Sequence, residues 1–386
     1  MPELPEVETI ARDLRPHLVG ATISGARLSW PRTLRTHEIA ELDELLAGRR
    51  VEAVGRRGKQ LVIDLSGGAA LTVHLKMTGQ LFVVPVDAPD DPYVRLALAL
   101  ADGRELRFRD IRKFGRVGLY FRDAATGELV TEPGGAATFA STGPEPLDDR
   151  FTLADFRHRI RARKGRLKPL LTDQSFLAGV GNIYADEALW AARLHPLRSA
   201  ASLRPADERR LYEELRAVLT EAIRRRGSSI DDYTAPDGDG SMQEDLRVYQ
   251  RTGEPCFRCG RPIRRIVVGG RSTHFCSWCQ RLPAAERRRA GQILRGITPR
   301  HGTARGQAPS GTRPRGWRRA GWPELGGALD GATAIGLTAP EAARVAARER
   351  AERTQRAAAT RRAAARGSTG APSPTGRGPD PHRSAD

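Results

Sequence analysis

The chain opens with Met1-Pro2-Glu3-Leu4-Pro5-Glu6-Val7-Glu8, in which a proline follows the initiator methionine and is surrounded by carboxylates. If Met1 is trimmed, as is usual before a small residue, Pro2 becomes the amino terminus and presents a secondary amine. An α-amino group has a pKa of about 8, so a fraction is unprotonated at neutral pH and can attack an electrophilic carbon. Glu3, directly beside it, could transfer protons. Taken alone, these residues favour the simpler interpretation of a helix start with proline and acids in its first turn.

Working outward, apolar residues recur at three- and four-residue spacing from Leu4 to Leu18, which predicts an amphipathic helix over 3–17 that ends before Gly20. From 22 to 121 the pattern changes to short β-segments separated by turn residues, which predicts a β-sandwich or barrel-like domain. The segments with the strongest strand pattern are 61–65, 71–77, 94–100, 106–109 and 117–121.

Helical periodicity returns after a Gly-, Thr- and Pro-rich loop at 124–146, and this predicts a separate α domain. Its predicted helices are 153–163, 167–172, 183–192 and 205–226. Between two of them lies Leu177-Ala-Gly-Val-Gly-Asn-Ile-Tyr184, a small-residue turn that opens into a helix. Its glycines allow close approach of the backbone, and Asn182 could cap a helix terminus whose free amides suit a phosphate. A plain interhelical turn explains the segment nearly as well, and 228–241 is predicted to be a polar loop that orders on ligand binding.

Four cysteines form two CxxC pairs, Cys256/Cys259 and Cys276/Cys279, separated by an Arg-rich segment. This spacing is typical of a zinc ribbon, in which four thiolates close a tetrahedral site and leave no position for catalysis. A redox role would need one reactive pair near a βαβ unit. The sequence therefore predicts one structural Zn²⁺, held by a hairpin whose arginines suit a nucleic-acid groove.

The charge of the chain is strongly uneven. The net charge is +18 over 386 residues, and the segment from Pro283 onward carries 20 arginines against eight acidic residues, a net +12. Such a balance favours an anionic partner, with nucleic acid ahead of a membrane surface. We interpret 283–386 as a disordered tail, with 339–365 marginally helical. The absence of a signal-peptide pattern and of a long apolar run predicts a cytoplasmic protein that does not enter a membrane.

Six motifs, in this order, resemble bacterial formamidopyrimidine-DNA glycosylases. They are Pro2 to Thr9, Arg57-Gly58-Lys59, His74 to Gly79, Asp110 to Gly115, Gly179 to Glu187 and the four-cysteine finger. The resemblance spans residues 1 to about 282 and implies an α+β multidomain fold. Its parts would be a catalytic helix with a β-sandwich (1–140), a helix–two-turn–helix domain (141–240), a zinc finger (241–282) and the tail (283–386).

The resemblance also implies a monomeric base-excision repair enzyme that removes oxidised purines from damaged double-stranded DNA and then cuts the strand by β,δ-elimination. Pro2 would attack C1′, Glu3 would move the proton that opens the sugar, and Lys59 and Arg271 would assist. Glu6 would support the site in contact with the bound DNA. The remaining DNA contacts implied are His74, Arg163, Lys168 and Asn182, together with Met77, Arg112 and Phe114, which would fill the gap left by an extruded nucleotide.

Two segments depart from the family pattern. A histidine that often contacts DNA is replaced within Pro89-Asp-Asp-Pro-Tyr93, and the loop that closes over the lesion ends in Gly240-Ser241-Met242 where an aromatic residue is usual. The lesion preference is the inference that these departures affect most. Two alternatives therefore stay open, an endonuclease VIII-like glycosylase for oxidised pyrimidines and a noncatalytic DNA-binding zinc protein. The basic tail lies outside the family pattern and could add nonspecific DNA affinity.

Overall fold

The computed structural model describes residues 1–132, 135, 137–228 and 240–287. Three predictions therefore lie outside the described residues: most of the polar loop, at 229–239; the disordered tail from 288 onward; and the marginal helix at 339–365. None of the helices within the described ranges is long and apolar enough to cross a membrane.

Helix α1, Leu4–Leu18, links two hydrophobic cores, and the predicted helix is confirmed. Its N-terminus is closed by a capping box, in which the Glu6 carboxylate accepts the Glu3 backbone N–H at 2.8 Å. Val7 and the later apolar residues of the helix lie in the core of the β domain, whereas Leu4 lies in the core of the helical domain. The start of α1 is therefore held at the junction between the two domains.

The β domain is a sandwich of two antiparallel sheets, as predicted. One sheet has the order β1-β6-β7-β5 and the other β2-β3-β4-β8-β9, and α1 shares the core between them. The strands are β1 (Ile23–Leu28), β2 (Val51–Arg57), β3 (Gln60–Leu65), β4 (Ala69–His74), β5 (Gly79–Pro85), β6 (Val94–Leu100), β7 (Arg104–Asp110), β8 (Arg116–Arg122) and β9 (Leu129–Val130).

Two sequence predictions in this domain are wrong. Residues Ile39–Leu46, inside the region expected to be β, form helix α2, because Leu42 and Leu46 at four-residue spacing both bury one face completely. The strand predicted over 71–77 ends at His74, because Lys76 takes a positive φ of 57° that no strand accommodates. Met77 consequently lies in a turn.

The helical domain contains four helices close to the predicted positions: α3 (Leu153–Arg161), α4 (Leu167–Thr172), α5 (Asn182–Ala191) and α6 (Pro205–Arg224). Helix α5 is buried on every side from Ile183 to Trp190, and this buried stretch includes two carboxylates, those of Asp186 and Glu187. It is the element against which α1, α6 and the finger are all placed.

The finger consists of two cysteine knuckles that frame the hairpin β10 (Arg264–Val268) and β11 (Arg271–Phe275). The hairpin turns through Gly269 and Gly270, which both have positive φ, as a two-residue hairpin turn requires. Trp190 of α5 packs in one cluster with Cys256, Cys276 and Ile263, so the finger is seated on the helical domain.

Candidate active site

The Glu3 carboxylate occupies the N-terminus of α5. It is 2% exposed, and its oxygens accept the backbone N–H groups of Ile183 at 3.0 Å and Tyr184 at 3.4 Å. A Cβ on Gly181 would lie 2.2 Å from Glu3 Cδ, so only glycine leaves room for this carboxylate. The amides that the sequence suggested for a phosphate are therefore filled by the chain's own first acid, at the positive end of the helix dipole.

Asn182 does not cap α5 with its side chain, so that prediction is wrong. Gly181 is the N-cap residue, and Asn182 is the first residue of the helix. The Asn182 amide instead donates to the carbonyl of Ser272 in the finger at 2.9 Å, and its Oδ1 is buried with no hydrogen-bond partner among the described residues.

Glu6 is the centre of a buried hydrogen-bond network. Besides the Glu3 N–H, its carboxylate accepts the Tyr184 hydroxyl at 2.5 Å and the backbone N–H and hydroxyl of Ser228 at 2.8 and 3.1 Å. Burial, and then the neighbouring Glu6 charge, raise the pKa of Tyr184 well above 10, so the phenol stays a donor. Sequence reasoning missed Tyr184 and Ser228, because a tyrosine in an apolar helix is usually core and a serine before a loop is usually solvated.

Lys59 lies opposite Glu3 across the site. Burial lowers the pKa of Lys59 and raises the pKa of Glu3, and in each case the charge of the other residue opposes the effect of burial. Arg271 contributes to the lowered pKa of Lys59, and the carbonyl of its neighbour Ser272 accepts the Asn182 amide at 2.9 Å, so the finger hairpin reaches the same end of α5. Pro2 is buried at the start of this arrangement. The structure thus brings the four predicted catalytic residues to one place, while their roles stay predictions.

The turn that carries Lys59 is fixed by Glu145, a residue that the sequence analysis missed. Its carboxylate accepts the N–H of Gly58 at 2.6 Å and guanidinium groups of Arg57 and Arg56 at 3.0 and 2.5 Å. Gly58 has a positive φ of 59° and approaches the backbone of Gly179. The β2–β3 turn is therefore locked against the segment that joins the two domains.

Lys168 is 1% exposed and its ammonium donates to the carbonyl of Asn182 at 2.7 Å and to Asp186 at 2.6 Å. Burial lowers the pKa of Lys168, and Asp186 opposes that change. In this structure both polar contacts are internal, so a phosphate contact by Lys168 stays a prediction.

Met77, Arg112 and Phe114 lie on two neighbouring turns. Met77 is 38% and Phe114 46% exposed, and the Arg112 guanidinium is 5.0 Å from the Phe114 ring centre. Asp110, which is 1% exposed, ties the turns together: its carboxylate accepts the Thr78 hydroxyl at 2.5 Å and the backbone N–H groups of Arg112 and Gly115 at 3.2 and 2.7 Å. These two turns, 75–78 and 110–115, are called the wedge turns below.

The remaining predicted DNA contacts differ in their surroundings. The Nδ1 of His74 accepts the N–H of Lys76 at 3.1 Å, and burial, followed by nearby Lys76 and Lys59, lowers the pKa of His74 to about 4. Its imidazole is therefore neutral near pH 7. Arg163 is exposed just after α3. In the first segment that departs from the family pattern, the Tyr93 ring centre lies 5.1 Å from the Arg109 guanidinium. In the second, Met242 is buried in the core of the helical domain.

The four cysteines fit one tetrahedral metal ion. All four sulfurs lie within 4.8 Å of one another, with Cys256 and Cys279 3.9 Å apart and Cys259 and Cys276 3.5 Å apart. A Zn²⁺ with Zn–S bonds of about 2.3 Å needs sulfur separations of about 3.8 Å. Trp190 Nε1 points at the sulfur of Cys256 at 3.5 Å, a contact that suits a thiolate ligand. The site is a closed, structural zinc site.

Helix α5 connects this finger to Glu3. One turn after the amides that hold Glu3, Asp186 accepts the backbone N–H of His274 in β11 at 2.9 Å. Glu187 accepts three consecutive N–H groups, those of Arg247, Val248 and Tyr249, at 2.8 to 2.9 Å. A single helix therefore sets the position of both the Glu3 carboxylate and the finger that carries Arg271.

Three family models match the chain. They are the formamidopyrimidine-DNA glycosylase N-terminal domain at residues 1–117, the formamidopyrimidine-DNA glycosylase H2TH domain at 142–234, and the zinc finger found in FPG and IleRS at 253–282. A relative from Herpetosiphon aurantiacus, a formamidopyrimidine-DNA glycosylase, is 49% identical over 282 residues, which cover 72% of this chain and 100% of the relative.

Solved structures agree with this match. The MutM (Fpg) protein of Thermus thermophilus is 42% identical with a TM-score of 0.63, covering 73% of this chain and all of that one. A Lactococcus lactis FPG variant in complex with a Fapy-dG containing DNA is 35% identical with a TM-score of 0.65, and MutM in complex with carbocyclic 8-oxo-G containing DNA is 36% identical with a TM-score of 0.65. Each covers 72% of this chain and all of the matched chain.

Proposed function

Since the chain belongs to the formamidopyrimidine-DNA glycosylase family, we propose that it is a bifunctional base-excision repair enzyme. It excises oxidised purines, among them 8-oxoguanine and formamidopyrimidines, from duplex DNA and then cleaves the strand as an abasic-site lyase. The observation that carries this proposal is the position of Glu3, which is buried beside Pro2 at the N-terminus of α5 and faces Lys59.

The chemistry follows from the residues at the start of α1. Once Met1 is removed, the neutral Pro2 nitrogen attacks C1′ of the damaged nucleotide, the bond from C1′ to the base breaks, and the base leaves with a proton. Glu3 transfers the proton that opens the sugar ring, and an iminium forms at Pro2. The iminium makes the proton on C2′ acidic. Loss of this proton expels the 3′ phosphate, and a second elimination expels the 5′ phosphate.

The supporting residues are assigned the following parts. Glu6 holds the Glu3 backbone, Lys59 assists proton transfer, and Arg271 acts in the second elimination. Lys168 and Asn182 bind phosphate groups of the DNA, and His74 and Arg163 make further DNA contacts. The exposed side chains of the wedge turns fill the space of the extruded nucleotide, with Arg112 facing the orphaned base.

A borohydride trap tests this mechanism. Protein with a processed N-terminus, incubated with an 8-oxoguanine duplex and borohydride, is expected to form a covalent adduct through Pro2 because borohydride reduces the iminium. Glu3→Gln should slow adduct formation at least about 100-fold, the size of a general acid–base contribution. The matched control is Glu41→Gln, which changes an exposed carboxylate on α2.

Three outcomes refute parts of the proposal. No adduct with any oxidised base would leave a noncatalytic DNA-binding protein, and an adduct whose rate is unchanged in Pro2→Gly and Glu3→Gln would refute the mechanism. A trap only with oxidised pyrimidines would refute the purine preference. Protein that retains Met1 should form no adduct, because its Pro2 nitrogen is an amide.

We further propose that the enzyme is a cytoplasmic monomer whose basic tail adds nonspecific DNA affinity. The Glu286 carboxylate accepts hydrogen bonds from the Arg166 guanidinium and the Ser199 N–H, both at 2.8 Å. The tail should therefore be cut after Arg287, because a cut at the end of the finger would remove these bonds. Residues 288–386 still carry a net +12. Their deletion should weaken binding to undamaged duplex and flatten its dependence on salt; equal slopes for both proteins would refute the role of the tail.

A further inference from the structure

Trp30 is the one tryptophan in contact with the wedge turns within the described ranges, and the proposed chemistry does not use it. The Lys113 ammonium lies 4.0 Å from the centre of a Trp30 ring, a close cation–π contact. Lys113 itself stands between Arg112 and Phe114, the two residues proposed to enter the DNA. Trp30 therefore contacts the turn at the residue between them.

The backbone of Lys113 is in a strained conformation, so contacts around it have to hold it there. Its φ is +59°, a left-handed conformation that a lysine rarely adopts without support from its surroundings. Asp110 binds the N–H groups of Arg112 and Gly115, on either side of Lys113. Among the described residues no carboxylate pairs with the Lys113 ammonium, so its partner is the ring of Trp30.

The position of Trp30 is set by hydrogen bonds between its neighbours in the chain and the strands next to the wedge turn. Ser29 donates its N–H to the Arg95 carbonyl at 3.0 Å, which fixes the chain just before Trp30. Just after it, the Arg35 N–H donates to Val117 in β8 at 3.0 Å, and the Thr36 hydroxyl accepts the Leu119 N–H at 2.9 Å. The backbone on either side of Trp30 is thus tied to both sheets, and the wedge turn 110–115 connects these same two sheets through β7 and β8.

We propose that Trp30 is a positioning residue for nucleotide extrusion. Its ring holds Lys113 in the left-handed turn, so that Arg112 and Phe114 are presented together before DNA arrives. This inference rests on the proposed glycosylase function, because it assigns the wedge turns to extrusion of the damaged nucleotide.

The test compares two substrates in single-turnover kinetics: a duplex with paired 8-oxoguanine, which must be extruded, and a duplex with a preformed abasic site, which has no base to unstack. Trp30→Leu and Lys113→Met should each slow excision of the oxidised base about tenfold and change abasic-site cleavage less than about twofold, a selective effect of the size expected for one cation–π contact. The double variant should be no slower than either single one.

Trp30→Phe keeps an aromatic face and should restore excision to near the wild-type rate. The matched control is Trp278→Leu, which removes a different tryptophan ring in contact with a cation, the guanidinium of Arg261 at 3.8 Å on the zinc finger. That variant should process both substrates at the wild-type rate. If Trp30→Leu fails to fold, Lys113→Met carries the same comparison.

Equal losses on both substrates, or wild-type rates in Trp30→Leu and Lys113→Met, would overturn the positioning role. The fluorescence of 2-aminopurine beside an abasic site reports wedge insertion without excision, and an unchanged signal in both variants would overturn it as well. A wild-type enzyme that cuts the abasic duplex but leaves every oxidised purine intact would instead refute the proposed lesion class, with the positioning role still read from the fluorescence.

Discussion

The catalytic end of α1 and the wedge turns solve opposite problems. At the start of α1, Glu3 and Glu6 are both 2% exposed, and each carboxylate is held by several donors from other parts of the chain. On the wedge turns, the side chains that would meet DNA are exposed, and only the backbone beneath them is held, by the buried Asp110. Proton transfer needs a fixed group in a dry site, whereas insertion between bases needs exposed side chains on a rigid support.

The first way to break this comparison is to disturb the catalytic end through its glycine. Gly181→Ala would place a Cβ 2.2 Å from Glu3 Cδ, so Glu3 must leave the N-terminus of α5. A displacement of about 1 Å can cost about 100-fold in rate, and we expect at least that loss on both oxidised-base and abasic substrates. Loss of the cap should also lower the free energy of unfolding by about 1 kcal/mol.

The control for this variant is Gly55→Ala on β2, where a Cβ meets nothing within 4 Å and φ is not in the positive range. Kinetic assays on both substrates and chemical denaturation should find it close to wild type. Near-wild-type cleavage by Gly181→Ala would show that the observed position of Glu3 is not needed for the reaction.

The second prediction disturbs the support of the wedge turns. Asp110→Ala removes the acceptor for Thr78, Arg112 and Gly115, and leaves the two turns without their shared anchor. We expect excision of a paired oxidised purine to fall by roughly 10- to 100-fold, corresponding to about 1.4 to 2.7 kcal/mol of transition-state stabilisation. Cleavage at a preformed abasic site should fall much less.

Asp110→Asn keeps one acceptor oxygen and should lie between Asp110→Ala and wild type. The measurement is the ratio of the two single-turnover rates, which separates extrusion from chemistry. If Asp110→Ala lowers both rates equally, the wedge turns and the catalytic end are not functionally separate, and the comparison fails.

The sequence predicted these two regions unequally well. The helix at the N-terminus, the sandwich, the zinc ribbon and the order of the motifs could all be predicted from periodicity and spacing, which are local signals. The contact between Glu3 and the amides that follow the Gly179–Gly181 turn could not be predicted, because the two lie about 180 residues apart and no local pattern connects them. Met77 was placed on a strand because alternation continues past His74, and the left-handed Lys76 that ends the strand has no signature in the residue type.

The smallest expected effect concerns the charges around Glu3. Lys59 is the largest influence opposing the raised pKa of Glu3, so its removal in Lys59→Met should raise that pKa further. Because Glu3 must be protonated to deliver the proton that opens the sugar ring, activity falls as pH rises through its pKa, and this alkaline midpoint of the single-turnover pH–rate profile should move to higher pH in the variant. Each pH–rate profile is normalised to its own maximum before comparison, because loss of Lys59 also lowers the maximal rate.

His74→Gln provides the control for this shift. The pKa of His74 is lowered to about 4, so this residue is already neutral between pH 5 and 9 and its replacement should leave the alkaline midpoint in place. A midpoint that moves in His74→Gln but not in Lys59→Met would assign the titration to the edge of the wedge turns instead of the catalytic end. The claim that Lys59 tunes the pKa of Glu3 would then be refuted, because a residue beside the exposed wedge turns would be setting the protonation of the buried catalytic end.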